Sequence, residues 1–215
     1  MHDHGRVEAI ARTTDHEAAG VARAGAAWWT PISSAAAPLL LIGGWVAAGS
    51  RQPPTYSPVR QSISVLSGDA ATDQWVMTTA LIAVGLCHLL TAAGLYGIRP
   101  AARIVLAASG LAGIAMAMIP QPEVGSIPAH VALAVLGAIT LALWPAFVGS
   151  RAHRWPSLLS VRMCTIATLV FVVMTVWLLI EAQGGANFGL SERICTSIES
   201  SWPFLVVLAV RRAAV

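Results

Sequence analysis

Six long apolar runs, separated by connections that carry arginine on alternate sides, constrain this chain more than any other feature. The runs read as Pro31–Gly49, Trp75–Ile98, Arg103–Pro120, Ile127–Gly149, Val161–Ala182 and Ile194–Val210. Each is about 17–24 residues long, which at about 1.5 Å per residue crosses a hydrocarbon core of roughly 30 Å. They are rich in Leu, Ala, Val and Gly and lack the apolar–polar alternation of barrel strands, so they predict helices. Only 11% of the residues are charged, against roughly 25% in soluble domains. The expected fold is all-α: a polytopic membrane protein built as a bundle of six transmembrane helices.

Every basic residue is an arginine; there is no lysine. Arg6, Arg12 and Arg23 precede the first run, Arg99 and Arg103 lie at the second connection, Arg151, Arg154 and Arg162 at the fourth, and Arg211 and Arg212 follow the last run. The other side carries only Arg51, Arg60 and Arg193. The positive-inside rule then predicts that both termini are cytoplasmic, in a bacterial plasma membrane. The pI of about 9.1 reads as an insertion signal and contact with anionic lipid, not as a nucleic-acid interface. Residues 1–27 are expected to form a flexible cytoplasmic tail and residues 28–215 the transmembrane domain, with Trp28 and Trp29 at the membrane boundary. Met1-His2-Asp3-His4 reads as solvated tail ahead of a weak chelator. Cys87, Cys164 and Cys195 fall within or at the edge of the runs, as small buried hydrophobes do. With no phosphate loop, CxxC pair or HExxH helix, no cofactor and no metal are assigned, and enzymatic activity is left open.

Polarity gathers on the side that lacks arginine. The first extracytoplasmic loop, Ser50–Gln74, is long; Pro53, Pro54 and Pro58 forbid a continuous helix through its first part, while Ile63, Val65 and Leu66 alternate with serines. Such a loop is expected to lie across the outer mouth of the bundle, partly as a short interfacial helix. In the last run Glu192, Thr196, Glu199 and Pro203 share one helical face. A carboxylate facing lipid costs about 2.5–3.5 kcal/mol on the mildest scale, so that face should look into the bundle or a wet cavity. The ligand-binding candidates are therefore Glu199, Glu192, His130, Arg193, Ser64 and His88. Each has a plainer alternative. Glu199 could pair with Arg60 or Arg193, Glu192 and Arg193 could cap a helix, and His130 could bond the Gln121–Ser126 loop. His88 could be interhelical packing glue, and Ser64 a turn residue. His88 and His130 are expected about 15 Å apart in depth, which argues against a shared haem.

The Tyr56-Ser57-Pro58 and Ser62-Ile63-Ser64-Val65-Leu66-Ser67 elements, His130 after a proline-bearing third loop, and Gly189-Leu190-Ser191-Glu192-Arg193 with Trp202 resemble the bacterial membrane family catalogued as domain of unknown function 998. The resemblance covers about Trp28 to Val210. It implies one six-helix domain with its marked positions on the outer side, and it carries no catalytic residue over. Together these readings predict a protein that binds a lipid or other amphiphile in a cavity open to the extracytoplasmic side. The alternatives are an accessory subunit of a membrane complex, a small transporter, or an intramembrane metal-dependent hydrolase. The runs supply two histidines at discordant depths where catalytic zinc takes three ligands, and no inverted repeat supports a transporter. Expected partners are membrane lipids, another membrane protein or a second copy of the chain, and not nucleic acid.

Overall fold

Helix boundaries follow local chemistry in the computed structural model, which describes residues 25–150 and 156–213. Most of the expected tail, including Met1–His4, Arg6, Arg12 and Arg23, lies outside the described residues, as do Arg151, Arg154 and Trp155. The six membrane-length helices are α1 (Thr30–Gly49), α2 (Trp75–Gly94), α3 (Pro100–Ala117), α4 (Pro128–Val148), α5 (Val161–Glu181) and α6 (Phe188–Arg212). Among the described residues there is no strand. Proline opens α1, α3 and α4, where its fixed φ suits the first turn and its missing N–H is not needed. Ser160 caps α5 by accepting from the Met163 amide at 3.3 Å, the usual role of a serine at that position.

Several boundaries differ from the apolar runs, among them the end of α2 and the starts of α3 and α6. Helix α2 stops at Gly94 instead of Ile98, because the chain leaves helical geometry at Leu95 (ψ 73°). Pro100 then starts α3 ahead of Arg103. Helix α6 begins at Phe188, well before Ile194, since its polar first turns are bonded by the Ser50–Gln74 loop and need no apolar surroundings.

Each helix packs against its neighbours in sequence, and α6 closes back on α1. In a bilayer, apolar side chains gain little by leaving lipid, so close backbone approach and interhelical hydrogen bonds hold helices together. Helix α2 shows this on both sides. Gly44 of α1 rests on Ala80, and Gly85 crosses Gly110 of α3 so closely that a Cβ on either would sit 2.6 Å from the other's carbonyl oxygen. Trp144 of α4 is fully buried and donates its indole N–H to the Ala102 carbonyl at 2.7 Å. The outward faces, such as Leu169, Val173 and Ile180 of α5, are the exposed apolar surface that lipid covers.

The two ends of the bundle are built differently. At the basic end, arginines serve the carbonyls that a helix C-terminus leaves without donors. Arg103 donates to Ala92 (2.8 Å) and Ala93 (3.0 Å) at the end of α2, and Arg99 to Phe147 (3.0 Å) and Gly149 (2.8 Å) at the end of α4. A guanidinium fork reaches two carbonyls at once in a way an ammonium does not, which is a structural reason for arginine at these positions. Ala26 and Ala27 are buried there as well, with the Ala27 amide donating to Gly94 at 2.8 Å.

At the opposite end the Ser50–Gln74 loop folds down onto the bundle. A 3-10 turn at Ile63–Ser67 buries Ile63 and Leu66 against Leu41, Met77, Leu81 and Ala117. Here water is the competing solvent, so burial stabilises by about 1.5–3 kcal/mol per large side chain. The Asp69 amide donates to the Gln121 carbonyl at 2.9 Å, tying the loop to the connection between α3 and α4.

Candidate functional site

The first two turns of α6 are a socket for the loop. Gly189 is buried, and a Cβ there would run into the carbonyl oxygens of Gln61 and Pro58. That residue must be glycine for the loop backbone to come so near. The Leu190 amide donates to Val59 at 3.0 Å. Glu192 accepts from the Ile63 amide at 2.5 Å, fixing the start of the 3-10 turn.

Arg193, one turn beyond Gly189, is only 5% exposed. Its Nη1 donates to the carbonyls of Pro58 (2.8 Å), Gln61 (2.9 Å) and Gly189 (2.8 Å). Its Nη2 donates to the Tyr56 hydroxyl. The guanidinium carbon stands 5.3 Å from the centre of the Trp45 ring, within the range of a cation–π contact. Among the described residues Arg193 has no ion pair, and its Nε is buried without an acceptor. The cation is thus held by oxygens and a π face, and it pins both the loop and two aromatic side chains. Burial pushes the Tyr56 phenol above the ordinary tyrosine value; the Arg193 charge opposes that shift and Glu192 adds to it. Tyr56 therefore keeps its proton at neutral pH.

Over these aromatics lies a groove of about 450 Å³, a size in the range of small-ligand sites. Trp45, Val46 and Gly49 at the end of α1 form one wall, and Pro53, Pro54, Tyr56 and Pro58 the other. Below it, Val46, Ile42 and Leu39 follow at helical spacing and are all exposed, forming an apolar strip that descends along α1.

The residues singled out from sequence fall into separate places. Glu192 and Arg193 hold the loop. Glu199 is 1% exposed and sits in the α5–α6 seam, accepting from the Thr175 hydroxyl at 3.1 Å; neither Arg60 nor Arg193 pairs with it. The seam continues with the Cys195 thiol on the Met174 carbonyl (3.2 Å) and an edge-on Phe171–Trp202 contact. Pro203 does not interrupt α6, but with no N–H it leaves the Glu199 carbonyl without its helical donor. His88 is buried beside Ser109 of α3, at 3.3 Å. His130 is buried at the start of α4, its Nδ1 2.7 Å from the Ile119 carbonyl rather than on the Gln121–Ser126 loop. A carbonyl only accepts, so Nδ1 carries an N–H there, and Nε2 is buried without a hydrogen-bond partner. Ser64 is half-buried, and its carbonyl accepts from the Ser67 hydroxyl at 3.1 Å.

None of these six lines the groove. No group of three or more His, Cys, Asp or Glu side chains that could hold a metal occurs among the described residues. Sequence reasoning placed the loop of Pro53, Pro54 and Tyr56 across the mouth of the bundle but named neither these residues nor Trp45 as ligand-binding candidates. The available signal was an indole one turn inside the end of the first span, followed at once by a proline-rich, tyrosine-bearing segment.

Comparison with known proteins gives one match. A family model described as protein of unknown function (DUF998) covers residues 34–209, which takes in the groove, the loop and the α6 socket. No curated protein matches, and no solved structure does.

Proposed function

The chain belongs to the DUF998 family, a membership that brings no activity with it, and from the geometry we propose that it holds a membrane amphiphile in the groove beside α1. On this reading the loop end is extracytoplasmic. The orientation rests on Arg99, Arg103, Arg162, Arg211 and Arg212, which belong to the connections and terminus of the opposite, basic end. The membrane would be the bacterial plasma membrane, with both termini in the cytoplasm.

One observation carries the proposal. The groove sits where α1 ends, and Val46 in its wall is followed at helical spacing by the exposed Ile42 and Leu39; the end of a spanning helix is where lipid headgroups would lie. A molecule with an apolar tail and a polar head fits both parts together, which a wholly water-soluble ligand does not. The clamped loop supplies a rigid wall, so the site is preformed and little ordering is needed on binding. Glu199, down in the α5–α6 seam, supports the bundle in this reading and does not touch the ligand.

Native mass spectrometry of protein extracted gently from its own membrane tests this. The wild type should carry a discrete, stoichiometric lipid-sized mass. Val46→Trp, which fills the groove from a lipid-facing position, should lose it. Glu199→Gln, whose amide oxygen still accepts from Thr175, should keep it. A bare mass for the wild type, under conditions that preserve lipid on a control protein, would refute the reading.

A further inference from the structure

We propose that residues 53–61 form a strap that responds to the groove, docking more tightly when an amphiphile lies there, with Arg193 as its positioning residue. The inference rests on the groove reading and adds how occupancy is reported on the loop-bearing surface.

The two walls of the groove belong to different parts of the chain. Trp45, Val46 and Gly49 are fixed in α1, whereas Pro53, Pro54, Tyr56 and Pro58 lie on the loop. Both ends of the loop wall are anchored. On one side Gln52 donates to the Ala48 and Thr72 carbonyls at 2.9 Å each and accepts from the Thr72 amide at 3.0 Å. On the other, Ile63 is buried in the 3-10 turn. Between these anchors the Tyr56 ring lies against Gly49, where a Cβ would be 3.4 Å from it. The Val59 carbonyl accepts from Leu190 at 3.0 Å. Arg193 bonds the Pro58 and Gln61 carbonyls and the Tyr56 hydroxyl, and its guanidinium stands over the Trp45 ring. One guanidinium thus sets three groove-lining residues, one on the fixed wall and two on the loop wall, without lining the groove itself.

When the strap lifts, half of the groove goes with it. An amphiphile that touches both walls therefore binds the docked state and stabilises it by mass action. The effect is reciprocal: whatever loosens the strap lowers the apparent affinity for the amphiphile in turn. The bonds within the strap, from the Tyr56 amide to Pro53 at 2.9 Å and from the Gln61 amide to Ser57 at 2.8 Å, are local. They let it move as one piece. Val59 and Arg60 on this piece are exposed, so filling the groove changes how firmly they are presented to solvent.

The test is limited trypsin digestion of the full chain in detergent, scored at Arg60 by mass spectrometry, with and without the total lipid extract of its own membrane. Delipidated protein should be cut about tenfold faster than protein given extract at about ten times the concentration that half-fills the lipid adduct. Val46→Trp, which fills the groove, should be indifferent to the extract. Arg193→Lys should be cut faster and hold the adduct more weakly. Excess extract should restore its protection, which a misfolded chain does not allow. Equal cutting of loaded and delipidated wild type, with Val46→Trp still losing the adduct, would overturn the coupling and leave the groove reading standing. Protection that persists in Val46→Trp would also overturn it, since the lipid would then act elsewhere. Wild-type protein with no adduct and no protection by extract would remove the groove reading itself.

Discussion

Replacing Arg193 by alanine is expected to release the Ser50–Gln74 loop and open it to trypsin at Arg60. In the native fold Arg60 is exposed, but the backbone around it is held. Val59 accepts from Leu190, the Gln61 amide donates to Ser57 at 2.8 Å, and Pro58 and Gln61 both accept from Arg193. A protease needs that strand free and extended. Removing the guanidinium takes away two loop carbonyl contacts, the Tyr56 contact and the Trp45 stacking in one step. Hydrogen bonds from charged donors are worth about 1.5–3 kcal/mol each and are not additive, so a loss of about 3 kcal/mol is a fair expectation. Where cleavage follows the population of the open form, that is roughly a hundredfold faster cut. Gly189→Val should reach the same state by another route, since its side chain must occupy the place of the Pro58 and Gln61 carbonyls. Arg193→Lys should fall between, keeping the charge and losing the fork. Cleavage of Arg193→Ala at the wild-type rate would show that the socket does not hold the loop.

Gly110→Leu is expected to separate α2 from α3 and to leave little folded protein. A Cβ at Gly110 would already lie 2.6 Å from the Gly85 carbonyl and 3.1 Å from the His88 Cβ. A leucine cannot be absorbed by rotating a side chain, because the obstacle is backbone. The helices must move apart, and with no hydrophobic drive between them in lipid, lost contact is not replaced. Overpacking commonly costs about 1–3 kcal/mol, and more where backbone must shift. Gly113, one turn along the same helix, has open space where a Cβ would go, so Gly113→Leu is the matched control. Thermal unfolding followed by size exclusion in detergent should show a large drop for the first variant and almost none for the second. Equal behaviour of the two would mean that the α2–α3 crossing is not held by close backbone contact.

The parts of the fold that were legible in sequence are those set by composition over a whole helix. Six apolar runs became six helices because length and polarity alone decide what crosses a bilayer. Pro31 and Pro128 stand at or beside the starts expected from sequence, whereas Pro100 begins α3 three residues ahead of the expected Arg103. The start of α6 was misplaced because an apolar criterion excludes Ser191, Glu192 and Arg193, whose partners are carbonyls and amides of a loop some 130 positions away. Backbone acceptors carry no residue identity, so nothing in the sequence marks them. The same holds for Arg99 and Arg103, which sequence pattern reads as orientation signals and the structure also uses to cap helix ends. Glu199 was legible as a buried carboxylate, but its partner Thr175 could not be chosen without knowing that α5 lies beside α6. The groove was the least legible feature. It arises from the way Tyr56 and Pro58 are pulled back toward α1 by Arg193, a relation between three distant segments.

The central claim is that an amphiphile occupies the groove beside α1, and photo-crosslinking reads occupancy most directly. A phospholipid carrying a diazirine near the headgroup would be incorporated into membranes containing the full chain, irradiated, and its adducts mapped by peptide sequencing. The account predicts that label concentrates on Val46–Pro58 and that Val46→Trp removes it. Label spread over the lipid-facing helices, with the Leu169–Ile180 face of α5 marked as heavily as the groove, would contradict it.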